Sequence, residues 1–309
     1  PYADFEAGVR KQASLPEGAA SLGLAGTAPG VVLATDGCVG VALPGPPAEL
    51  RRLWAAALES QPVRGVLNRA RPPGRRVLRF FGASESAVAQ ALAEAGGEPE
   101  GVEATICARD FEIHVDLFVE PGAEERAEEL ARALRAPLAR YLFAEDERGI
   151  EEIVLALCRS RGLTLATAES CTGGMVAERL TSVPGASDVF AGSIVTYSDS
   201  LKHHLLGVAD DLLERHGAVS AEVAAAMASG ARMHVGTDVA VAVTGIAGPG
   251  GGTLEKPVGL VYLHVTSPDG ERARELNLPG ERDAIRRRST VAALHLTRRV
   301  LTQSRHEHV

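Results

Sequence analysis

The spacing of apolar positions changes several times along this chain, and each change marks an element. Near the start, two short apolar segments, Gly30 to Ala34 and Val39 to Leu43, read as strands. Pro44-Gly45-Pro46-Pro47 then breaks the run, and an amphipathic helix is predicted from Ala48 to about Ser60. Earlier still, Phe5-Glu6-Ala7-Gly8-Val9 resembles the end of an amphipathic helix, and an opening at Pro1 rather than Met reads as a cut with residues missing upstream. So few elements do not close a core by themselves. Arg71-Pro72-Pro73-Gly74 reads as a linker.

Between Arg76 and Phe143 the pattern predicts a strand (Val77 to Phe81), a helix (Ser84 to Ala95), two strands (Ala104 to Arg109 and Phe111 to Val119) and a long helix (Ala123 to Phe143). That is a small α+β unit. His114 lies among alternating apolar residues and reads as a packed or rim histidine. Acidic residues and arginines interleave along the long helix, as on a solvated, ion-paired face.

From Gly149 to about Gln303, helices and strands alternate. A helix (Ile150 to Ser160) leads to a strand (Leu163 to Ala168) and a helix from Cys171 to about Leu180. A strand (Val189 to Thr196), short helices to His216 and a longer helix (Ser220 to Met233) follow. A strand (Asp238 to Thr244), a glycine-rich loop, strands Val258 to Thr266 and Ala273 to Leu278 and a helix from Glu281 complete the pattern. Such alternation predicts a three-layer α/β/α domain with a mainly parallel or mixed sheet. The expected division is 1–70, a partial α/β domain; 75–146, the small α+β domain; and 149–303, the α/β/α domain.

Composition narrows the function classes. The net charge is −8 and aromatics are only 4%. Nucleic-acid binding relies on Lys and Arg at phosphates and on aromatic stacking, so neither figure favours it. Arg286-Arg287-Arg288 and Arg298-Arg299 read as a solvated face of the last helix. Cys38, Cys107, Cys158 and Cys171 are far apart and lack C-x-x-C spacing, which gives neither a zinc pattern nor a disulfide framework and predicts a reducing, cytoplasmic setting. No apolar run is long enough to span a membrane.

Three segments end strands of the third region with chemistry-bearing residues. In Glu169-Ser170-Cys171-Thr172-Gly173-Gly174 two adjacent nucleophiles stand at a strand-to-helix turn, where free backbone N–H groups can bind an oxyanion or a phosphate. On the turn alone, Ser170 reads first as the cap of the helix that follows. Cys171 is the rival nucleophile. Val195-Thr196-Tyr197-Ser198-Asp199 ends the next strand; Tyr197 can stack on a ring or donate a hydrogen bond, and Lys202 can return over the same cleft as a general base. Thr244-Gly245-Ile246-Ala247-Gly248-Pro249-Gly250-Gly251-Gly252-Thr253 suits close backbone approach to an anion, with Lys256, Arg282 and Arg286 as candidate cations. It lacks the Lys-Ser/Thr ending of a P-loop. His203-His204 is not spaced for a metal and reads as structural or solvated. The three segments share one cleft only if they end neighbouring strands.

Long stretches of the third region, ATAESCTGGMVAERLTSVPGAS, GSIVTYSDSLKHHLLGV, GAVSAEVAAAMASGAR, AVAVTGIAGPGGGTLEKPVGLVY and GERDAIRRR, resemble the C-terminal domain of the CinA (competence/damage-inducible) family, which includes nicotinamide mononucleotide amidohydrolases. The resemblance implies hydrolysis of the carboxamide of that nucleotide to nicotinate mononucleotide and ammonia. It places the nucleophile at Ser170, with Tyr197, Lys202, Thr244 and Arg282 around it. The turn residues Cys171, Thr172, Gly173 and Gly174 and the loop glycines Gly245, Gly248, Gly250, Gly251 and Gly252 then become substrate- and phosphate-binding positions. Neither a metal nor an organic cofactor is implied; the expected partners are the nucleotide and a second copy of the chain, as a homo-oligomer (dimer). QASLPEGAASLGLAGTAPG and LPGPPAEL resemble the end of the family's molybdopterin-binding-like N-terminal domain, which can hydrolyse ADP-ribose. The glycine- and aspartate-rich half of that domain is not in the chain. The middle unit resembles the family's KH-like connecting domain but has no G-x-x-G clamp, so RNA binding is not expected. The alternatives are a non-catalytic nucleotide-binding or partner-docking module, linked to competence or DNA damage, or an ADP-ribose pyrophosphatase if the N-terminal domain were complete.

Overall fold

A computed structural model describes residues 10–11, 14–26, 28–70 and 73–302. The expected helix end at Phe5–Val9, most of the linker at Arg71–Pro72 and the boundary at Gln303 lie outside the described residues. The chain divides into two compact units, Pro1–Pro73 and Gly74–Val309. It is a mixed α/β protein with one five-stranded mixed sheet and two smaller antiparallel sheets.

The first unit holds the strands β1 (Ala19–Leu24), β2 (Pro29–Thr35) and β3 (Cys38–Ala42), paired antiparallel in that order, and the helices α1 (Pro47–Glu59) and α2 (Gln61–Leu67). The strand β1 is missing from the sequence reading. Its residues, Ala-Ala-Ser-Leu-Gly-Leu, are too small to print a period-two pattern, and pairing with β2 overrides their weak propensity. Among the described residues the buried apolar side chains here are Val32, Leu53, Ala57 and Val63.

The second unit begins with β4 (Gly74–Phe81), α3 (Glu85–Glu94), β5 (Val102–Arg109), β6 (Glu112–Val119), α4 (Glu124–Leu138) and β7 (Leu142–Ala144), whose sheet runs β5-β6-β4-β7. Leu78 and Phe80 of β4 and Val115 and Leu117 of β6 pack with Val88 of α3 and Leu130 and Leu134 of α4. The long helix expected to Phe143 stops at Leu138. Tyr141 N–H turns back to the Leu138 carbonyl, and Leu142–Ala144 pairs with β4, so edge pairing wins over continued helix. His114 is half-buried on β6 beside Glu112, as a rim histidine.

The rest of this unit carries α5 (Ile150–Ser160), β8 (Leu165–Glu169), α6 (Met175–Thr181), β9 (Phe190–Val195), α7 (Asp199–Leu206), α8 (Asp210–His216), α9 (Ala221–Val235), β10 (Val239–Gly245), β11 (Leu260–Ser267), β12 (Gly270–Asn277) and α10 (Arg282–Thr302). Its sheet runs β12-β11-β10-β8-β9; β10, β8 and β9 are parallel, and β11 and β12 are antiparallel. Strand β10 shows how the faces divide. Val239, Val241 and Val243 pack with α5, α6 and α10, whereas Ala240 and Ala242 pack with α9 and Leu206 of α7. Alternation on one buried strand thus seats helices on both faces. Among the described residues no helix is long and apolar enough to cross a membrane.

Candidate active site

The order of the three parallel strands decides whether the chemical segments meet. Central β8 pairs with β10 on one side and β9 on the other, with Glu169 opposite Val243 and Val195. All three segments therefore leave the sheet at one edge, where ligands bind in open α/β sheets. Beyond the last paired residues, Ser170 N–H donates to the Val243 carbonyl at 2.9 Å and Thr196 N–H to the Glu169 carbonyl at 2.8 Å.

The turn after β8 differs from the expected one. The helix starts at Met175, not Cys171, because Gly173 (φ 60°) and Gly174 (φ 98°) take left-handed conformations that carry the chain around the bend before the helix can begin. Ser170 is not the cap. The buried Glu169 carboxylate caps α6, accepting from Gly174 N–H at 2.9 Å, Val176 N–H at 3.1 Å and Ala177 N–H at 2.9 Å. Thr167 and Ser193 hydroxyls add longer bonds at 3.3 and 3.4 Å. The first-turn N–H groups expected to face substrate are therefore occupied. Two others remain. Among the described residues, the amides of Cys171 and Thr172 donate to no oxygen, and both lie against the Cys171 sulfur.

Ser170 is 9% exposed, and its hydroxyl makes no hydrogen bond among the described residues. Cys171 points into the apolar core, and burial pushes its thiol up to about 12. Thr172 and Thr196 are buried with hydroxyls that have no partner among the described residues. Lys202 is 2% exposed; its ammonium donates to the Thr196 carbonyl at 3.2 Å and stands 3.5 Å from an Asp199 carboxylate oxygen. Burial pulls the lysine below its usual range, against the opposing effects of Asp199 and Cys171. Ser198 caps α7 through a bond from Leu201 N–H, fixing the helix that carries Lys202. His203 and His204, on the same helix, bond to the Val208 and Ser200 carbonyls.

On the other side, Thr244 is buried in β10 and donates to the Ala218 carbonyl at 2.8 Å. Gly245 has no room for a side chain: a Cβ there would stand 2.8 Å from the Leu260 carbonyl oxygen. Gly248, Gly250, Gly251 and Gly252 all lie in the loop between β10 and β11. Arg282, at the start of α10, clamps this loop to the β9 end: one guanidinium nitrogen donates to the Gly248 carbonyl at 2.7 Å, another to the Tyr197 hydroxyl at 2.6 Å. Tyr197 is exposed.

Two candidate cations have other work. Lys256 donates to the carbonyls of His216 and Val219, holding the turn between α8 and α9. Arg286 braces the nucleophile turn, donating to the Cys171 and Thr172 carbonyls at 3.1 and 2.8 Å. Glu169 is a structural partner that the sequence reading missed, and Arg286, expected as a cation for a phosphate, braces the turn instead. A carboxylate ending an otherwise apolar strand, five residues before Gly174, was the available signal for Glu169. Among the described residues, no group of three or more His, Cys, Asp or Glu side chains is arranged to hold a metal ion.

Comparison with known proteins identifies the family. Residues 147–301 match the CinA C-terminal domain and residues 75–144 the damage-inducible protein CinA KH domain. The CinA-like protein of Mycolicibacterium paratuberculosis is 44% identical over 98% of this chain and 71% of its own length. That of Mycobacterium tuberculosis (strain H37Rv) is 44% identical over 97% of this chain and 70% of its own length. Among solved structures, a competence/damage inducible protein CihA from Agrobacterium tumefaciens is 40% identical, covering 52% of this chain and all (100%) of that one, with a TM-score of 0.48. With both family domains matched in order and this identity running along nearly its whole length, the chain belongs to the CinA family.

Proposed function

We propose that the protein hydrolyses the carboxamide of nicotinamide mononucleotide to nicotinate mononucleotide and ammonia, with Ser170 as nucleophile. The observation that supports this reading is that an unbonded serine hydroxyl and a buried lysine, whose ammonium burial destabilises, both follow strands that end at one sheet edge. A lysine of that kind supplies the neutral amine that a general base requires.

In the reaction, the Ser170 hydroxyl oxygen bonds to the carboxamide carbon while its proton passes to neutral Lys202. The carbonyl oxygen becomes an oxyanion, and the amides of Cys171 and Thr172, which lie against the Cys171 sulfur and bond to no oxygen among the described residues, are assigned to it on turning from that sulfur. Collapse breaks the C–N bond, and the Lys202 proton goes to the leaving nitrogen, which departs as ammonia. Water, deprotonated by Lys202, then attacks the ester carbon; the bond to the Ser170 oxygen breaks, Lys202 returns the proton to that oxygen, and nicotinate mononucleotide leaves. The carbon skeleton and the oxidation states are unchanged, so no redox partner is needed. The glycine loop and Arg282 are assigned to the nucleotide phosphate, and Tyr197, tied to Arg282, to the rim of the ring site. Membership of the family, whose C-terminal domain is associated with this deamidation, supports the assignment.

The test is ammonia release from nicotinamide mononucleotide across pH. The wild type is expected to gain kcat with pH to a plateau set by Lys202 below the ordinary lysine value. Ser170→Ala abolishes turnover, and Lys202→Met lowers kcat by about 10²- to 10⁴-fold. Turnover undiminished in Ser170→Ala, or none in the wild type, refutes the proposal.

A further inference from the structure

Most arginines of the second unit with a described polar contact meet carboxylates: Arg75 and Arg79 meet Asp116, Arg135 meets Glu145, Arg161 meets Asp269 and Arg179 meets Glu151. Four others converge without a carboxylate. Arg140, just before β7, Arg272 on β12, and Arg298 and Arg299 near the end of α10 line one open cavity of about 590 Å³, with Tyr141 and Thr302. Among the described residues, no acidic side chain lines it and none of the four pairs with a carboxylate. Their contacts are weaker ones. Arg140 bonds to the Tyr141 hydroxyl at 2.6 Å and lies over that ring, and Arg299 stands 5.9 Å from the Phe81 ring centre. The Nε of Arg298 is buried with no partner among the described residues.

This placement corrects the reading of Arg298-Arg299 as a solvated helix face, since both are half-buried. Burial and then Arg299 pull the Arg298 guanidinium below its usual range, and burial, Arg274 and Arg272 do the same to Arg299. Withdrawing like charges from water without a counter-charge is costly, so the arrangement favours a bound anion. It does so in a protein of net charge −8, where the overall field does not favour anions.

We propose that this cavity binds an anion with two linked phosphoryl groups, as in inorganic pyrophosphate or a nucleoside diphosphate. The guanidinium fork matches phosphate oxygens in bidentate pairs. One phosphate monoester carries a charge of about −1.5 to −2, so four arginines are better balanced by two phosphoryl groups than by one. The cavity falls within the range of small-ligand sites, roughly 300 to 1,000 Å³. It is separate from the Ser170 turn: at about 1.5 Å per residue, Arg298 stands about 24 Å along α10 from Arg282. The bound anion bridges the strand region before β7 to β12 and α10. This binding does not depend on the reaction proposed above.

Titration calorimetry on the full chain at about 150 mM salt, near-physiological ionic strength, with pyrophosphate, orthophosphate and ADP as probes, tests the proposal. Saturable pyrophosphate binding is expected, at least tenfold tighter than orthophosphate, and weakened at least tenfold in the double variant Arg272→Gln/Arg299→Gln. Arg140→Gln, at an exposed position, is expected to weaken it about threefold to tenfold, as loss of one charge-assisted contact would. Arg282→Gln leaves it unchanged. ADP binding tighter than pyrophosphate assigns the site to nucleoside diphosphates; equal or weaker binding assigns it to the inorganic anion. Unchanged affinity in the double variant with its fold intact by circular dichroism, loss in Arg282→Gln, or no saturable binding overturns the proposal. So does tighter binding of a single-stranded oligonucleotide with a steep salt dependence.

Discussion

Replacing Glu169 with Gln tests the division of labour at the nucleophile turn. The wild-type carboxylate satisfies three amides of α6, at Gly174, Val176 and Ala177. If the glutamine carbonyl keeps the two amides that share one oxygen, Gly174 and Val176, its NH₂ group faces the Ala177 amide, donor against donor. One buried orphaned donor costs about 1–3 kcal/mol. Loss of a negative charge at a buried helix start adds about 1 kcal/mol. The side chain is fully buried, so water does not soften either effect. The sum, about 2–4 kcal/mol, falls on the opening of α6. Hydrogen exchange read residue by residue is the direct assay: at 1.4 kcal/mol per tenfold, protection at Val176 and Ala177 falls by about 30- to 1,000-fold. Amides of α9, on the other face of the sheet, keep theirs. Turnover falls with the loosened turn because Ser170 is the next residue. Protection at Val176 and Ala177 unchanged within about threefold, taking fractions of a kcal/mol as noise, would mean that Glu169 is not the cap.

Two further predictions concern groups outside the catalytic steps. Alkylation of the native protein followed by peptide mass analysis should label exposed Cys38 and Cys107, and leave Cys158 and Cys171, whose thiols burial pushes up to about 12, unlabelled; Cys171→Ala retains turnover, and its loss with the fold intact would reopen Cys171 as nucleophile. His295 of α10, fully buried and stacked on Phe81, donates to Glu112 of β6 at 2.8 Å, and burial brings it down to about 4. The unfolded histidine binds a proton from about pH 6.5, and the folded one refuses it until about 4, so stability is present above 6.5 and falls as pH drops through that window, by roughly 3 kcal/mol at one unit per 1.36 kcal/mol. Glu112, which burial alone would raise but histidine bonds bring to about 2, adds a loss in the same direction between about 4.5 and 2. Urea unfolding at pH 7 and pH 4.5 reads the effect; His295→Phe flattens the upper part of the profile, and an unaltered profile in that variant would refute it.

How much could be read from sequence depended on what each residue answers to. Strands such as Val239–Gly245 and helices such as Ile150–Ser160 are locally legible because their side chains repeat with the period of the element they form. Strand β7 is not, because Leu142–Ala144 becomes a strand only when β4 lies alongside. The meeting of the Ser170, Tyr197 and Thr244 segments likewise depends on strand order, which no local pattern encodes; the chemistry of each segment was visible, its company was not. Glu169 was hidden differently. A glutamate after four apolar or hydroxyl residues looks like a strand end meeting solvent, and only the path of Gly173 and Gly174 turns three amides onto it.

That path also explains why two arginines of α10 are needed at the edge of the sheet. With Glu169 holding the amides of α6, the turn between Ser170 and Gly173 is left with carbonyls facing outward, and Arg286 takes those of Cys171 and Thr172. Fixing these carbonyls fixes the peptide planes on which the following amides lie, including Thr172 N–H, one of the two left without an oxygen acceptor. One helical turn earlier, Arg282 ties the glycine loop to Tyr197, so both walls of the site answer to the same helix. Farther along it, His295 reaches Glu112 of the preceding KH-like region, and Arg298 and Arg299 enter the arginine-lined cavity. A rotation or shift of α10 caused at either of those places would displace Arg282 and Arg286 together.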